Sequence, residues 1–406
     1  MQYLRTAPLA LLAMLAAIVP AAAHVHKEKV IHSFQAGEDG SFPEGGLVVD
    51  SHGNFYGTTQ EGGSHDCGGG GCGTVFRLRP GGKETILHVF AQQNDGVFPV
   101  PGLAIDSDGN LYGTTLNGGG DCSCGSVFKV TPRGKETLLH IFAGGSDGAF
   151  PVSALLLDGA GNLYGTTSGG GLDCMGTGVY CGTVFKIAAN GKFGTIYSFT
   201  GGSDGMDSTT ALFLAQDGNF YGTTDDGGVD CDGTGQGCGT IFKLTPEGSE
   251  TVLYRFEGGS HGAYPAAGVT MDGAGNLFGT TNNGGFNCDG SGAGCGVVFE
   301  LTADGQEFGL HTFAGGDDGA NPQAAPVSDA AGNLYGTTVE GGSRLGGGVV
   351  YQIKPGGQEK ILYAFSGGRD GGGPFAGLIM DVSGNLYGTT FTGGTYSGGT
   401  VFRVRN

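Results

Sequence analysis

The chain of 406 residues contains no tryptophan and few charged residues, which make up 14% of it. Basic residues are scarce, since 19 Lys and Arg stand against 38 Asp and Glu, and the formal net charge is −19. This balance argues against nucleic acid as a partner, because phosphate binding depends on basic patches. No segment beyond the N-terminus is apolar enough for a membrane span. No segment shows a helical period either, which excludes helix-rich folds.

Glycine is abundant, with 89 residues, and it belongs to a repeat. The motif Gly-Asn-(Leu/Phe)-(Tyr/Phe)-Gly-Thr-Thr returns at intervals of 52 to 57 residues. Its asparagines are Asn54, Asn110, Asn162, Asn219, Asn276, Asn333 and Asn385. A repeat of this length suits one blade of a β-propeller and is too long for one solenoid coil.

The N-terminal segment has the pattern of a secretory signal peptide. Residue Arg5 precedes an apolar stretch, and Ala21-Ala22-Ala23 gives the small-residue pattern of a cleavage site. We therefore expect residues 1–23 to be a signal peptide and residues 24–406 to form a single propeller domain. The predicted location is secreted, periplasmic or at the cell surface, and the alternative is an uncleaved anchor.

The second repeat illustrates the predicted blade. Residues 101–106, 110–115, 125–131 and 135–142 are four short apolar segments separated by turns or by a glycine-rich loop. They predict an all-β, seven-bladed propeller of four-stranded antiparallel blades. The chain ends after a third strand, while residues 29–34 match a rim strand. We expect the N-terminal strand to complete the last blade and close the ring.

Two motifs carry a resemblance to a known family. The Gly-Asn-Leu-Tyr-Gly-Thr-Thr core and the Gly-(Thr/Ser)-Val-Phe core, as in residues 73–76 and 399–402, resemble the GloVer tandem repeat of bacterial exported proteins. The order of strands and turns is similar to that of NHL-type and gluconolactonase-like propellers. The resemblance covers the mature chain and implies a propeller fold, but it implies no particular activity.

The ten cysteines fall into five local pairs, each within the glycine-rich loop of one repeat. The pairs are Cys67 with Cys72, Cys122 with Cys124, Cys174 with Cys181, Cys231 with Cys238, and Cys288 with Cys295. This spacing predicts loop-closing disulfides, which fit an exported protein. The alternative is metal ligation, but isolated pairs in separate blades do not supply four ligands.

Strand direction places the long loops on one side of the ring, which we call the loop face. The loop face carries the cysteine loops and the Asp-Gly-x-x-Pro segments that lead into each inner strand. Acidic residues accumulate there, which favours cations, basic partners or hydrogen-bonded sugars. Repeated threonines at the loop bases are our candidate binding residues: Thr58, Thr59, Thr114, Thr115, Thr166, Thr167, Thr223 and Thr224.

Two cysteine loops are candidates for calcium. Asp230 and Asp232, and likewise Asn287 and Asp289, place oxygen ligands two residues apart among glycines, as hard cations require. The closing glutamate of an EF-hand is absent, so the alternative is a tight turn held by a disulfide. No other cofactor is predicted.

The inner strands argue against an enzyme. They are apolar up to a terminal aspartate that recurs in six repeats, which favours a hydrogen-bonding role for that aspartate. We therefore expect a monomeric, non-catalytic protein that binds a glycan or a surface protein through the loop face. The alternative is a hydrolase or lyase in the same loops, where His261, Asp225, Asp226 and Arg344 depart from the repeat.

Overall fold

The computed structural model describes residues 28–63, 67–91, 95–100, 102–120, 122–171, 173–174, 179–231, 233, 235–285, 294–342 and 346–406. It confirms the predicted fold, a seven-bladed β-propeller of four-stranded antiparallel sheets. Within each blade the strands follow one another from the inner strand at the axis, through the second and third strands, to the rim strand. The predicted signal peptide lies outside the described residues.

The inner strands are only two residues long, whereas the other strands of each blade have five to seven. We number the blades along the chain and give the strands of each from the inner strand to the rim strand. They are blade 1 (Val48–Val49, Phe55–Thr59, Thr74–Leu78 and Glu84–Val89), blade 2 (Ala104–Ile105, Leu111–Asn117, Ser126–Val130 and Glu136–Ile141), blade 3 (Leu156–Leu157, Leu163–Thr167, Thr183–Ile187 and Phe193–Ser198), blade 4 (Phe213–Leu214, Phe220–Thr224, Thr240–Leu244 and Glu250–Arg255), blade 5 (Thr270–Met271, Leu277–Thr281, Val297–Leu301 and Glu307–Thr312), blade 6 (Val327–Ser328, Leu334–Thr338, Val349–Ile353 and Glu359–Ala364) and blade 7 (Ile379–Met380, Leu386–Thr390, Thr400–Val404 and Glu28–Ser33).

A few short elements lie outside this pattern. Strand Val97–Pro99 pairs with the second strand of blade 2, and Asp173–Cys174 pairs with Val179–Tyr180 in the loop of blade 3. Single 3-10 turns occupy Gly145–Asp147, Gly259–His261 and Gly316–Asp318. Within the described part of the chain, no helix is long and apolar enough to cross a membrane.

The N-terminal strand closes the ring, as predicted. Glu28–Ser33 pairs antiparallel with Thr400–Val404, with Glu28 opposite Val404 and Ser33 opposite Thr400. The next residue, Phe34, donates its backbone N–H to the Gly399 carbonyl at 3.0 Å, and its side chain is fully buried. The third strand of the last blade is therefore paired on both sides, and this blade has four strands like the others.

The second glycine of the repeat motif makes room for the core. A Cβ on Gly57 would lie 2.7 Å from the ring of Phe76, the phenylalanine of the Gly-Thr-Val-Phe core. The same close approach joins Gly113 to Phe128 and Gly222 to Phe242. Because these rings are buried between blades, the two motifs of the repeat specify one packing contact.

The asparagine and tyrosine of the motif donate hydrogen bonds to the terminal aspartate of the inner strand. In blade 1, Asp50 accepts hydrogen bonds from the backbone of His52 and Asn54, from the Asn54 side chain at 2.8 Å and from the Tyr56 hydroxyl at 2.9 Å. Burial alone would raise the pKa of Asp50, but these donors lower it below its usual value. The predicted hydrogen-bonding role of these aspartates is confirmed.

Candidate functional site

The loop face opens onto a cavity of about 510 Å³ on the propeller axis. Residues of all seven blades line it, and they come from the segments that lead into the inner strands. Those segments follow the Asp-Gly-x-x-Pro motifs, so the cavity is the mouth of the central channel on the loop face. Pockets at the mouth of a closed β-structure are common ligand sites.

Glu44 is the one charged side chain among the described residues that line this channel mouth. It follows Pro43, and the same position holds Val152 in blade 3, Gln323 in blade 6 and Phe375 in blade 7. Burial raises the pKa of the Glu44 carboxyl. The sequence analysis did not single out Glu44, because the residue after the proline varies between repeats and belongs to no repeated motif.

The residue before that proline has an unusual backbone. Phe42, Phe98 and Phe150 adopt φ values of 58°, 57° and 55°, and Tyr264 adopts 58°. Positive φ is rare for bulky side chains, and such a conformation costs about 1–3 kcal/mol. The other blades place Asp207, Asn321 and Gly373 at this position, also with positive φ.

Local hydrogen bonds hold this conformation. The backbone N–H of Phe42 donates to the Gly398 carbonyl at 2.9 Å, and the Phe42 carbonyl accepts from Gln60 at 3.0 Å. Asp207 makes the same pair of bonds, with Cys181 and Asp225. The backbone is therefore fixed by its partners, whatever side chain it carries.

An aromatic cluster lies where blades 7 and 1 meet. The rings of Phe42 and Phe391 are 4.9 Å apart, and those of Phe375 and Phe391 are 5.3 Å apart in an edge-to-face arrangement. Phe375 also lines the channel mouth. We call Phe42, Phe375 and Phe391 the aromatic cluster.

An acidic cluster takes the corresponding place in blade 4. Asp207, Asp225 and Asp226 interact there, and Asp226 pairs with Met206 as an isolated bridge. Burial, with the charges of Asp226 and Asp207, raises the pKa of Asp225 to about 7. Burial and the Asp226 charge raise the pKa of Asp207 to about 6. Each of these two carboxyls therefore gains or loses its proton near neutral pH.

The two clusters lie on opposite sides of the channel. In a ring of seven blades, blade 4 is opposite the boundary between blades 7 and 1. The loop face thus presents apolar rings on one side of the channel mouth and carboxyls on the other. Sequence analysis named Asp225 and Asp226 but did not find the aromatic cluster, since its three phenylalanines occupy three different positions of the repeat.

The first threonines of the predicted binding pairs are buried and join neighbouring blades. Thr58, Thr114, Thr166 and Thr223 donate their hydroxyls to carbonyl oxygens of the next blade, at 2.8–3.5 Å. The equivalent Thr389 donates to Gly45 at 3.0 Å and so joins the last blade to the first.

The second threonines are buried as well and anchor the loops. Thr59 shares a hydrogen bond of 2.8 Å with Thr74 on the third strand and donates to the Glu61 carbonyl. Thr115, Thr167 and Thr224 make the same pairs of contacts. They fix the base of each cysteine loop.

His261 forms its hydrogen bond with a residue outside the acidic cluster. It replaces the aspartate of the Asp-Gly-x-x-Pro motif, and its Nδ1 lies 2.5 Å from Glu307 Oε2. Glu307 also accepts the Tyr254 hydroxyl at 3.3 Å. The charges that act on Asp225 come from Asp226 and Asp207. The predicted candidate Arg344 lies outside the described residues.

The disulfides are present as predicted wherever both cysteines are described. Cys67 is bonded to Cys72, Cys122 to Cys124 and Cys231 to Cys238. Cys181 and Cys295 are disulfide-bonded too. The side chain of Cys174, and all of Cys288, lie outside the described part of the chain.

The predicted calcium ligands are only partly described. Asp230 is exposed, and its Oδ1 accepts the backbone N–H of Gly233 at 2.8 Å. Asp232, Asn287 and Asp289 lie outside the described residues. The contact of Asp230 is that of a tight turn, so calcium binding at these loops stays a prediction.

Solved structures share the fold. The extracellular domain of a hybrid two-component system from B. thetaiotaomicron matches with a TM-score of 0.59 and 11% identity, over 94% of this chain and 40% of that one. This chain thus spans less than half of that structure. A protein assigned as a gluconolactonase matches with a TM-score of 0.45 and 12% identity, over 95% of this chain and 93% of that one. A luciferin-regenerating enzyme has the same TM-score at 14% identity, over 91% and 93% of the two chains.

Sequence comparison identifies the repeat itself. No curated protein matches the chain. The family model described as the Gloeobacter/Verrucomicrobia repeat matches residues 18–180, 176–291 and 285–406, which together run through all seven blades. The chain belongs to the Gloeobacter/Verrucomicrobia repeat family.

Proposed function

We propose that this protein is an exported, non-catalytic propeller that binds a glycan across the channel mouth of its loop face. The observation that carries the proposal is the strained residue before the proline. In blade 7 Gly373 takes this position without strain, yet the other six blades keep a side chain there. In four of these blades it is a bulky aromatic residue, and an aromatic side chain retained at a cost of about 1–3 kcal/mol supports a use on this face.

The chemistry around the channel mouth fits a carbohydrate. The C–H face of a sugar ring packs on aromatic rings such as those of Phe391 and Phe375, since both surfaces are apolar and rigid. Sugar hydroxyls pair with carboxylates and amides, which Asp225, Glu44 and Gln323 supply. A ligand that extends across the mouth would reach both the aromatic and the acidic cluster.

A glycan array followed by calorimetry tests the proposal. The key variant is Phe391→Gln, because Gln60 occupies the same position in blade 1 and the fold accommodates it. Loss of the aromatic surface should weaken binding about tenfold, or roughly 1.4 kcal/mol. Val382→Ser, fully exposed in a turn on the opposite face, is the matched control and should bind like the wild type. Absence of glycan binding, or wild-type affinity in Phe391→Gln, would contradict the proposal.

The acidic cluster supports a second candidate, a hydrolase or lyase. A carboxyl with a pKa of about 7 beside other carboxyls is the arrangement that general acid catalysis uses near neutral pH. Asp225→Asn separates the two functions. An enzyme would lose turnover while still binding its substrate, whereas a binding protein would show no turnover before or after the substitution.

A further inference from the structure

A second set of polar residues recurs where neighbouring blades meet near the rim. Each set contains the His or Tyr of one rim strand, a residue of the loop that follows, and the first residue of the next rim strand. In the boundary between blades 7 and 1 these are His32, Asp39 and Glu84. A β-bulge immediately precedes the His or Tyr of the rim strand in each blade.

The sets differ in composition around the ring. Histidine, aspartate and glutamate occur together at three boundaries, in His32, Asp39 and Glu84, in His88, Asp95 and Glu136, and in His311, Asp318 and Glu359. Elsewhere one or two members are replaced. Phe193 takes the place of the glutamate and stacks on His140 at 3.6 Å, Tyr197 and Tyr363 take the histidine position, and Tyr254 and His261 replace both the histidine and the aspartate.

Two of these sets have donor atoms spaced like metal ligands. His32 Nε2 lies 3.8 Å from Asp39 Oδ2 and 3.4 Å from Glu84 Oε2. His311 Nε2 lies 3.3 Å from Asp318 Oδ1 and 3.7 Å from Glu359 Oε1. Two ligands bound at about 2.0–2.1 Å on a tetrahedral zinc ion are roughly 3.3–3.4 Å apart. In each set, one donor atom of every residue lies within 4.8 Å of the others.

Unpaired histidine nitrogens mark the same two sets. The buried Nε2 atoms of His32 and His311 make no hydrogen bond to the protein. The Oε1 atoms of Glu84 and Glu359 are unpaired as well, but so are those of the rim glutamates at the other boundaries, Glu28, Glu136, Glu250 and Glu307. By contrast, His88 Nε2 is engaged with both carboxylate oxygens of Asp95, at 3.2 and 3.1 Å. Buried polar atoms without partners are rare and call for a ligand or counter-charge.

We propose that these two sets, His32 with Asp39 and Glu84, and His311 with Asp318 and Glu359, bind a divalent transition-metal ion such as zinc. One imidazole and two carboxylates suit zinc better than calcium, which prefers oxygen ligands alone. A divalent ion also neutralises the two partly buried carboxylates of each set, and with three protein ligands each site keeps room in its coordination for a fourth ligand.

The positions of the two sites suggest a structural role. One joins blade 7 to blade 1 and the other joins blade 5 to blade 6, so together they flank blades 6 and 7. The sequence has no cysteine after Cys295, so these two blades lack the loop disulfides of the others. Metal ions at both boundaries would fasten this part of the ring, including the closing N-terminal strand.

Metal content of purified full-length protein tests the proposal. After incubation with zinc and dialysis, elemental analysis should give two zinc ions per chain. Cobalt at these sites should show the intense visible absorption of tetrahedral coordination. The cysteines of the described loops are in disulfides and do not compete for zinc.

The chain provides its own substitutions. His32→Tyr and His311→Tyr introduce the residue found at the same position in blades 3, 4 and 6. Each should remove one zinc ion, and the double variant should remove both together with the rise in melting temperature that zinc causes. His140→Tyr is the matched control, since Phe193 replaces the glutamate there, and its zinc content should stay at two.

Two results would overturn the assignment. A wild-type protein without stoichiometric zinc would mean that a shared proton or the histidine balances the partly buried carboxylates. A double variant that keeps both ions would place the zinc elsewhere. Circular dichroism of the variants separates either result from misfolding.

Discussion

Asp225 provides a quantitative test of the electrostatics of the acidic cluster. It lies at the end of the second strand of blade 4, where its backbone N–H donates to the Asp207 carbonyl at 3.1 Å. Burial and two neighbouring carboxyls raise its pKa from 3.8 to about 7. Asp225→Asn keeps the shape and removes the charge, and Asn282 shows that blade 5 accommodates an asparagine at the same position.

The effect of pH follows from the two pKa values. Between pH 3.8 and about 7 the folded protein keeps a proton that the unfolded chain releases, so raising the pH through this range destabilises the fold. The full shift corresponds to a ceiling of about 4 kcal/mol, at 1.36 kcal/mol per unit. The repulsion between Asp225 and Asp207 contributes to the raised pKa of Asp225, and this repulsion belongs to the pair. We therefore expect about half of the ceiling, roughly 2 kcal/mol, from Asp225 alone.

Calorimetric melting at pH 4, 6 and 8 measures the difference. Asp225→Asn should match the wild type closely at pH 4 and gain stability as the pH rises. At pH 8 the gain should be about 2 kcal/mol, or roughly 2–4 °C in the melting temperature. Asp108→Asn, in an exposed turn of blade 2, is the control and should change nothing. An Asp225→Asn gain that is equal at pH 4 and pH 8, or absent at both, would refute the buried-charge argument.

Two further predictions concern the loop face and the ring closure. Phe150→Gly should change the free energy of unfolding by less than about 1 kcal/mol, because relief of the positive φ offsets the lost contacts. The affinity for glycan should fall in the same variant. A strong loss of stability would show instead that Phe150 is kept for packing. Phe34→Ala should destabilise the protein by about 3–5 kcal/mol in denaturant unfolding, whereas Phe308→Ala on an exposed part of a rim strand should cost far less; equal stability of the two variants would contradict closure by the N-terminal strand.

The repeated positions were the ones that the sequence predicted well. Blade number, strand order, ring closure and the hydrogen-bonding role of the inner-strand aspartates all follow from features that recur at one spacing. Periodicity did not show where the repeated threonines lie. Thr58 and Thr59 are buried, because the hydroxyl of a strand residue can form its hydrogen bond within the protein as well as with solvent, and ligand binding near these residues stays a prediction.

The positions that break the repeat were predicted less completely. Glu44 and Phe391 have no counterpart of their kind in the other repeats, so no pattern draws attention to them. The rim sets had a signal in the sequence that was not used. A glutamate begins the rim strand in six blades, and Phe193 begins it in the remaining one, blade 3. Which atoms of those sets approach one another depends on the twist between blades, and this cannot be derived from one sequence.

The repeat also explains how such a regular protein can carry a specific site. The position before the proline holds Phe42, Asp207, Asn321 or Gly373 with φ values that stay between 56° and 62°. The backbone there is set by hydrogen bonds that do not involve the side chain. A substitution at this position therefore changes the loop face and leaves the blade intact. At the rim, by contrast, the side chains themselves form the contacts. His261, which replaces an aspartate of the repeat, forms a hydrogen bond with Glu307 of the next rim strand. Specific recognition is thus expected where side chains vary on a fixed backbone, around the channel mouth.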